Sequence, residues 1–224
     1  RLADTAAERW RDADRGIWEV RGEPRHFLYS KVMCWVALDR AINLAARLRA
    51  DDRVPHWRAV RDEIRQTVEE QGFRAGAFTQ YFGADTLDAS ALMIPIVGFL
   101  PATDPRVLAT IDAVATRLTD ARGLVFRYRT ADGIDGLTGG EGTFLLCTFW
   151  LAHALALADR VDEARAVFER AAAYTNDVGL LAEEVDPATG EALGNFPQAF
   201  SHIGLVNAAW AITEALARQE RTRT

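Results

Sequence analysis

Apolar residues recur at three- and four-residue intervals over most of the chain, and strict alternation is confined to two short stretches. This pattern predicts an all-α protein. Eight helices follow from it, over Leu2 to Ala13, His26 to Arg49, Val54 to Gly72, Asp88 to Leu100, Asp104 to Thr119, Gly142 to Asp159, Val161 to Val178 and Phe200 to Arg218. The punctuation agrees, since Asp104-Pro105 is an N-cap followed by proline at the first helical position, and Pro101 closes the helix before it. Asp88 reads as the N-cap of DASALMIPIVGFL, where alanine would cost about 1 kcal/mol. The alternating stretches, Phe78 to Phe82 and Leu124 to Tyr128, are expected as small strands within loops.

The connections between these helices alternate in length. Tight ones lie at Asp51-Asp52, Pro101 and Asp159 to Val161; long ones carry Asp14 to Arg25, Phe73 to Leu87, Asp120 to Glu141 and Gly179 to Ala199. Hairpins joined tightly at one end and loosely at the other predict a stack of helix pairs with one functional face. Long loops without secondary structure are usually functional or disordered. These are rich in aromatic, Gly and acidic residues rather than Ser or Lys, which favours order and function. No sequence motif repeats at a fixed period, so a solenoid is disfavoured.

Composition narrows the partners. The 224 residues are 49% hydrophobic and 26% charged with a net charge of −6, ordinary for a globular domain. No Lys/Arg cluster offers a phosphate backbone a binding face, so nucleic acid is not expected. No apolar run approaches the roughly 20 residues of a membrane span, and no signal-peptide core is present, so no membrane partner is expected. Cys34 and Cys147 sit inside the apolar patterns VMCWVAL and FLLCTFW, where a thiol acts as a small buried hydrophobe; a reducing cytoplasm is the expected location. The chain opens at Arg1 inside an amphipathic helix, and is expected to be part of something longer.

Several residues that tempt a chemical reading have plainer ones. His26, His56, His153 and His202 lack metal-ligand spacing and a partnering Cys pair, so neither metal nor cofactor is expected. His26 and His202 follow closely after two acid-bearing loops, where packing behind a site is the natural role. Ser30 and Lys31 form no SxxK nucleophile pattern and are expected simply to begin a helix. Gly133, Gly136, Gly139, Gly140 and Gly142 lack the lysine and preceding parallel strand of a phosphate loop, leaving loop mobility or substrate lining.

Two segments carry candidate chemistry. In GIWEVRGEPRHF, Gly16 to Phe27, Glu19 directly follows Trp18; an indole that desolvates the carboxyl would raise its pKa toward that of a general acid. Alternatively, Trp18 is a core aromatic and Glu19 pairs with Arg21 or Arg25 on a solvated loop. In LLAEEVDPATGEALGNFPQAFSH, Leu180 to His202, adjacent Glu183 and Glu184 alternate sides in an extended chain, so one can face a cleft while the other faces outward. The alternative is a charged surface turn around Asp186-Pro187 and Gly190. Taken together the two loops could supply the pair of carboxyls needed for glycoside hydrolysis with inversion, one protonating the leaving oxygen and one activating water roughly 6.5–9.5 Å away.

The stretch GIWEVRGEPRHFLYSKVMCWVALDRAINLA, Gly16 to Ala46, resembles the acid-bearing segment of glycoside hydrolase family 15, the glucoamylase, glucodextranase and bacterial trehalase family. LLAEEVDPATGEALGNFPQAFSHIGLVNAA is similar to its base-bearing segment, and the resemblance spans nearly the whole chain. It implies an (α/α)6 toroid, of which roughly the last eight helices are present. Residues 1–224 would be the C-terminal part of one catalytic domain, without the first helices or the N-terminal β-sandwich of bacterial members.

The resemblance also implies roles: Glu19 as general acid, Glu183 as general base, Trp18 as an aromatic wall of the sugar subsite, Arg127 of the FRYR stretch as a donor to glucose hydroxyls, and Glu141 and Glu184 as further substrate-lining residues. Where fungal glucoamylases carry a second acid after the acid catalyst, this chain has Val20 and then Arg21, which resembles the bacterial intracellular branch. The expected activity is release of glucose from an α-linked gluco-oligosaccharide or trehalose by single displacement. The alternative expectation is a non-catalytic helical carbohydrate-binding fragment that self-associates or pairs with an absent N-terminal part.

Overall fold

In the computed structural model, residues 1–130 and 140–223 are described. The helices are α1 (Leu2–Arg9), α2 (Leu28–Leu48), α3 (Val54–Gln71), α4 (Met93–Ile96), α5 (Pro105–Arg117), α6 (Leu145–Leu157), α7 (Val161–Ala172) and α8 (Ala199–Arg223). Asp51–Arg53 and Ala89–Leu92 add single turns of 3-10 helix. Among the described residues no helix is long and apolar enough to cross a membrane.

The core is built around α6. Its sequence, LLCTFWLAHALAL, is apolar on all sides, as a helix surrounded by others must be. Cys147, Phe149, Leu151 and Leu155 are buried in it, and each such Leu or Phe contributes about 1.5–3 kcal/mol by leaving water. It packs against α7 and α8, and more lightly on α4 and α5, while α2 lies on α3 and α1 at the other end. The approach of α8 to α6 depends on Gly204, where a Cβ would meet Leu146 Cδ1 and Phe149 Cβ at 3.1 Å.

Most predicted helices are present, with three departures. The fourth is not one helix over Asp88 to Leu100: a 3-10 turn runs into the four-residue α4. Pro95 lacks an amide hydrogen to propagate the helix, and Gly98 at φ +76 ends it, with Phe99 N donating to Ile94 O at 3.0 Å. The seventh stops at Ala172, where turn hydrogen bonds through Thr175 and Asn176 lead to Gly179 at φ +81. The last runs on past Arg218 to Arg223.

The strands also differ from expectation. Phe73–Arg74 (β1) pairs antiparallel with Ala77–Phe78 (β2), so only the first residue of the predicted Phe78 to Phe82 strand is in a sheet. The stretch Leu124 to Tyr128 contributes isolated bridges, Val125 to Thr119 and Tyr128 to Asp88. A three-stranded antiparallel sheet that the pattern does not announce joins Thr143–Phe144 (β3), Glu184–Val185 (β4) and Ala192–Leu193 (β5) in that order. Gly133, Gly136 and Gly139 of the glycine-rich stretch lie outside the described residues.

Candidate active site

The loop before α2 is fastened at its base. Asp14 and Arg25 exchange backbone hydrogen bonds of 2.8 Å, and the Asp14 carboxylate accepts from Gly16 N at 2.7 Å and Ser30 Oγ at 2.6 Å. The buried Lys31 pairs with Asp14 at 3.3 Å and also donates to Asp12 O. Ser30 and Lys31 therefore do more than begin a helix: they tie α2 to the loop. Gly16, at φ +69, lies so close to Phe27 that a Cβ would fall 2.9 Å from its ring.

The turn that follows places Glu19 at φ +50, a left-handed conformation uncommon for a residue with a Cβ. Glu19 is exposed, so the expected shielding of its carboxyl by the indole is not what this conformation produces. Among the described residues it forms no ion pair with Arg21 or Arg25; the Arg25 guanidinium lies 4.6 Å from the Tyr81 ring centre instead. Trp18 turns inward. Its indole N–H donates to Asp88 Oδ2 at 2.9 Å and Oδ1 at 3.1 Å, and its ring packs against Phe144 and Trp150 at centroid distances of 5.8 and 6.1 Å. Asp88 is the N-cap expected, accepting from Ser90 N at 2.7 Å, with the Trp18 contact as a second duty. Burial pushes its carboxyl pKa up, against hydrogen bonds from Ser90, Trp18 and Gln80 that favour the anion.

The sheet β3-β4-β5 sets the opposite side. Glu184 lies on β4 opposite Phe144 and Leu193, and its Oε2 accepts from Gly142 N at 3.0 Å. Glu183, just before β4, donates its backbone N–H to Asn195 O at 3.0 Å, and its Oε2 accepts from Asn195 N at 3.0 Å. Adjacent residues on an extended chain leave on opposite sides, yet both of these border the same cavity, one carboxylate fastened toward β3 and the other past β5. Burial raises the Glu184 pKa, and the nearby Glu141 and Glu183 carboxylates raise it further, with Arg127 and the Gly142 amide opposing.

Arg127 and Glu141 make an ion pair whose side chains are only 15% and 14% exposed. Arg127 Nε and Glu141 Oε2 are buried with no hydrogen-bond partner among the described residues. The guanidinium also lies 4.8, 5.2 and 5.8 Å from the ring centres of Tyr128, Phe144 and Trp18. Burial alone would lower the Arg127 pKa; the Glu141 hydrogen bond and charge outweigh it, and the net shift is upward.

Trp18, Glu19, Arg127, Glu141, Glu183 and Glu184 all line one cavity of about 600 Å³. Three of the four long loops supply these residues, and the fourth stays behind the cavity, its Gln80 donating to Asp88 Oδ2, which holds the Trp18 indole. The volume suits a small organic ligand. Tyr29, Trp150 and Asn207 also line it and were not singled out from sequence, although Tyr29 immediately follows the acid loop. His202 contacts Gln198 O through Nδ1 at 2.9 Å and His26 stacks on Phe82, neither bordering the cavity. Carboxylates from separate loops, one enclosed cation with an unfilled donor and an aromatic wall can bind a polyhydroxylated ligand, protonate an oxygen and polarise a water.

Comparison with known proteins places the fold and the family. Residues 1–210 match the family described as glycosyl hydrolases family 15, and the chain belongs to that family. It is 48% identical over 216 residues to a trehalase of Mycobacterium tuberculosis, covering 96% of this chain and 32% of the relative. To a trehalase of Thermoplasma volcanium it is 42% identical over 212 residues, 94% of this chain and 34% of the relative. The chain thus spans about a third of the length of these curated relatives. Among solved structures, a wild-type glycosidase superposes with a TM-score of 0.78 at 23% identity, covering 94% of this chain and 58% of the other. A bacterial glucoamylase complexed with acarbose superposes at 0.74 with 15% identity, covering 88% and 35%. The fold is therefore all-α and of the glucoamylase (α/α)6 toroid type.

Proposed function

We propose that this chain forms the C-terminal part of the catalytic domain of an inverting, exo-acting α-glucoside hydrolase, trehalase- or glucoamylase-type, in which Glu19 is the general acid and Glu183 the general base. The observation that carries the reading is that Glu19 and Glu183, 164 positions apart in sequence (183 − 19), border one cavity. Glu19 gives its proton to the glycosidic oxygen; Glu183, oriented by Asn195 N, takes one from the water that attacks the anomeric carbon from the other face. Arg127 donates hydrogen bonds to sugar hydroxyls and Glu141 and Glu184 accept them, and Arg127 Nε and Glu141 Oε2, without a partner among the described residues, are the first candidates to do so. The substrate is an α-linked gluco-oligosaccharide or trehalose, a reading supported by relatives named trehalase and by a structural neighbour described as a glycosidase in complex with glucose. The unpaired thiols of Cys34 and Cys147, the latter buried, favour a reducing cytoplasm.

The test is Glu19→Gln and Glu183→Gln in the full-length protein, assayed for glucose release from trehalose, maltose, isomaltose and starch. Each variant is expected to lose kcat by orders of magnitude with an unchanged melting temperature, and the product first seen by NMR is expected to be β-glucose. Near-full activity in either variant, or initial α-glucose, would refute the assignment.

One observation favours a second reading, in which the chain alone is an incompetent fragment. Phe200, Ile203, Val206 and Trp210 form an exposed stripe on α8, 52–70% accessible, and such a face promotes association. A monomeric, active preparation of these residues alone would eliminate it.

A further inference from the structure

Asp88 touches no cavity surface, yet it is the group on which the cavity wall hangs. An N-cap needs one short acceptor, and Ser, Thr or Asn supplies it without burying a charge. Asp88 is 2% exposed, forms no ion pair among the described residues, and spends both carboxylate oxygens on N–H donors: Ser90 N and Trp18 Nε1 on Oδ1, Trp18 Nε1 and Gln80 Nε2 on Oδ2. The Gln80 amide is oriented, because its Oε1 accepts from Thr86 Oγ1 at 3.2 Å. An asparagine here would set its own NH2 against two N–H groups. The geometry therefore requires a carboxylate, and what the second oxygen holds is the indole.

Trp18 precedes Glu19 by one peptide, and Glu19 is held in a left-handed conformation, so a shift of the Trp18 backbone, once its indole is released, carries the carboxyl with it. The Asp88 segment is also fixed to the far side of the cavity, since Ala89 N donates to Arg127 O at 2.8 Å. We infer that Asp88 is a positioning residue for the acid: by holding the Trp18 indole it fixes the turn that aims Glu19 at the leaving-group oxygen, in register with Arg127. This rests on the hydrolase reading given above.

The experiment compares Asp88→Ser, which keeps a short cap acceptor but falls short of the indole, with Trp18→Phe, which removes the same N–H and leaves the cap intact. Both are made in the full-length protein and assayed on an O-linked α-glucoside and on α-glucosyl fluoride, whose fluoride departs with little protonation. On the O-glucoside kcat is expected to fall by about 10²-fold, the effect of misplacing a reacting group by an ångström, with KM little moved. On the fluoride Asp88→Ser stays near wild type and Trp18→Phe loses much less than it does on the O-glucoside, and on the O-glucoside the double variant is no worse than the poorer single one. Parallel losses on the two substrates, losses that add, or no loss at all overturn the inference. Should Asp88→Ser fail to fold, Trp18→Phe alone carries the comparison. The underlying reading fails separately, and takes this one with it, if the wild type releases no glucose or Glu19→Gln retains full activity.

Discussion

Arg127 and Glu141 neutralise each other on the cavity wall while each keeps one polar atom that no other described residue satisfies. A buried pair of this kind is maintained by its mutual attraction, and removal of one partner strands the other in a poor solvent for charge.

Glu141→Ala is therefore expected to destabilise the chain by about 3–5 kcal/mol, the range for breaking an enclosed ion pair, with a smaller loss for the double change of Arg127→Met with Glu141→Ala. Urea unfolding of the wild type, the two single variants and the double variant measures this as a thermodynamic cycle. Additive losses would mean that the pair is not coupled.

Gly194 stands against the proposed base. It has φ +72, and a Cβ there would fall 2.7 Å from Glu183 Oε2. Gly194→Ala is expected to cost about 1–2 kcal/mol for the left-handed backbone and, by pushing the carboxylate off Asn195 N, to lower kcat by at least about tenfold, equal to about 1.4 kcal/mol of barrier. Steady-state kinetics and thermal melting on the same preparation separate the two losses.

The pH dependence has a definite sign. Glu184 has its folded-state pKa raised above 4.5 by burial and by Glu141 and Glu183, so the folded state holds this proton more tightly than the unfolded one. Its contribution to stability is full below pH 4.5 and is lost as pH rises through the folded value. Glu184→Gln, which keeps an oxygen for Gly142 N, removes that loss. The variant's melting temperature relative to wild type should be higher at pH 7 than at about pH 4; a gap that is constant or shrinks with pH contradicts the assigned environment.

The α8 stripe gives a prediction of another kind. Val206→Glu with Trp210→Glu replaces two exposed apolar side chains, 61% and 70% accessible, that line no part of the cavity. If this face drives self-association of residues 1–224, light scattering after size exclusion should show the double variant monomeric where the parent is not, with the helical signal unchanged.

Much of this was legible in the chain because it is written in periods and in contiguous words. The helix pattern gave α2, α3, α5 and α6 close to their observed ends, and the acid loop was readable because Trp18 and Glu19 are neighbours. The alternation of tight and long connections anticipated loops gathering at one site. Hidden were relations that sequence order does not display. Strands of two residues, such as Thr143–Phe144 and Glu184–Val185, are too short to show a period. The contact between Trp18 and Asp88 spans 70 positions, and nothing near either residue announces it. The inward-facing pair Arg127 and Glu141 is likewise made by folding, across a stretch whose middle carries no hydrophobic pattern. Pro95 and Gly98 together cut the fourth helix short, although a good N-cap and an apolar run spell a longer one.

The left-handed backbone at Glu19 has a bearing on how this loop responds to mutation. Glycine adopts φ +50 without the steric penalty that a β-carbon brings, so Glu19→Gly should melt at a higher temperature than the natural sequence. Random drift screened for thermal tolerance alone would then tend to erase this carboxyl, and its persistence in any set of variants would report selection for chemistry.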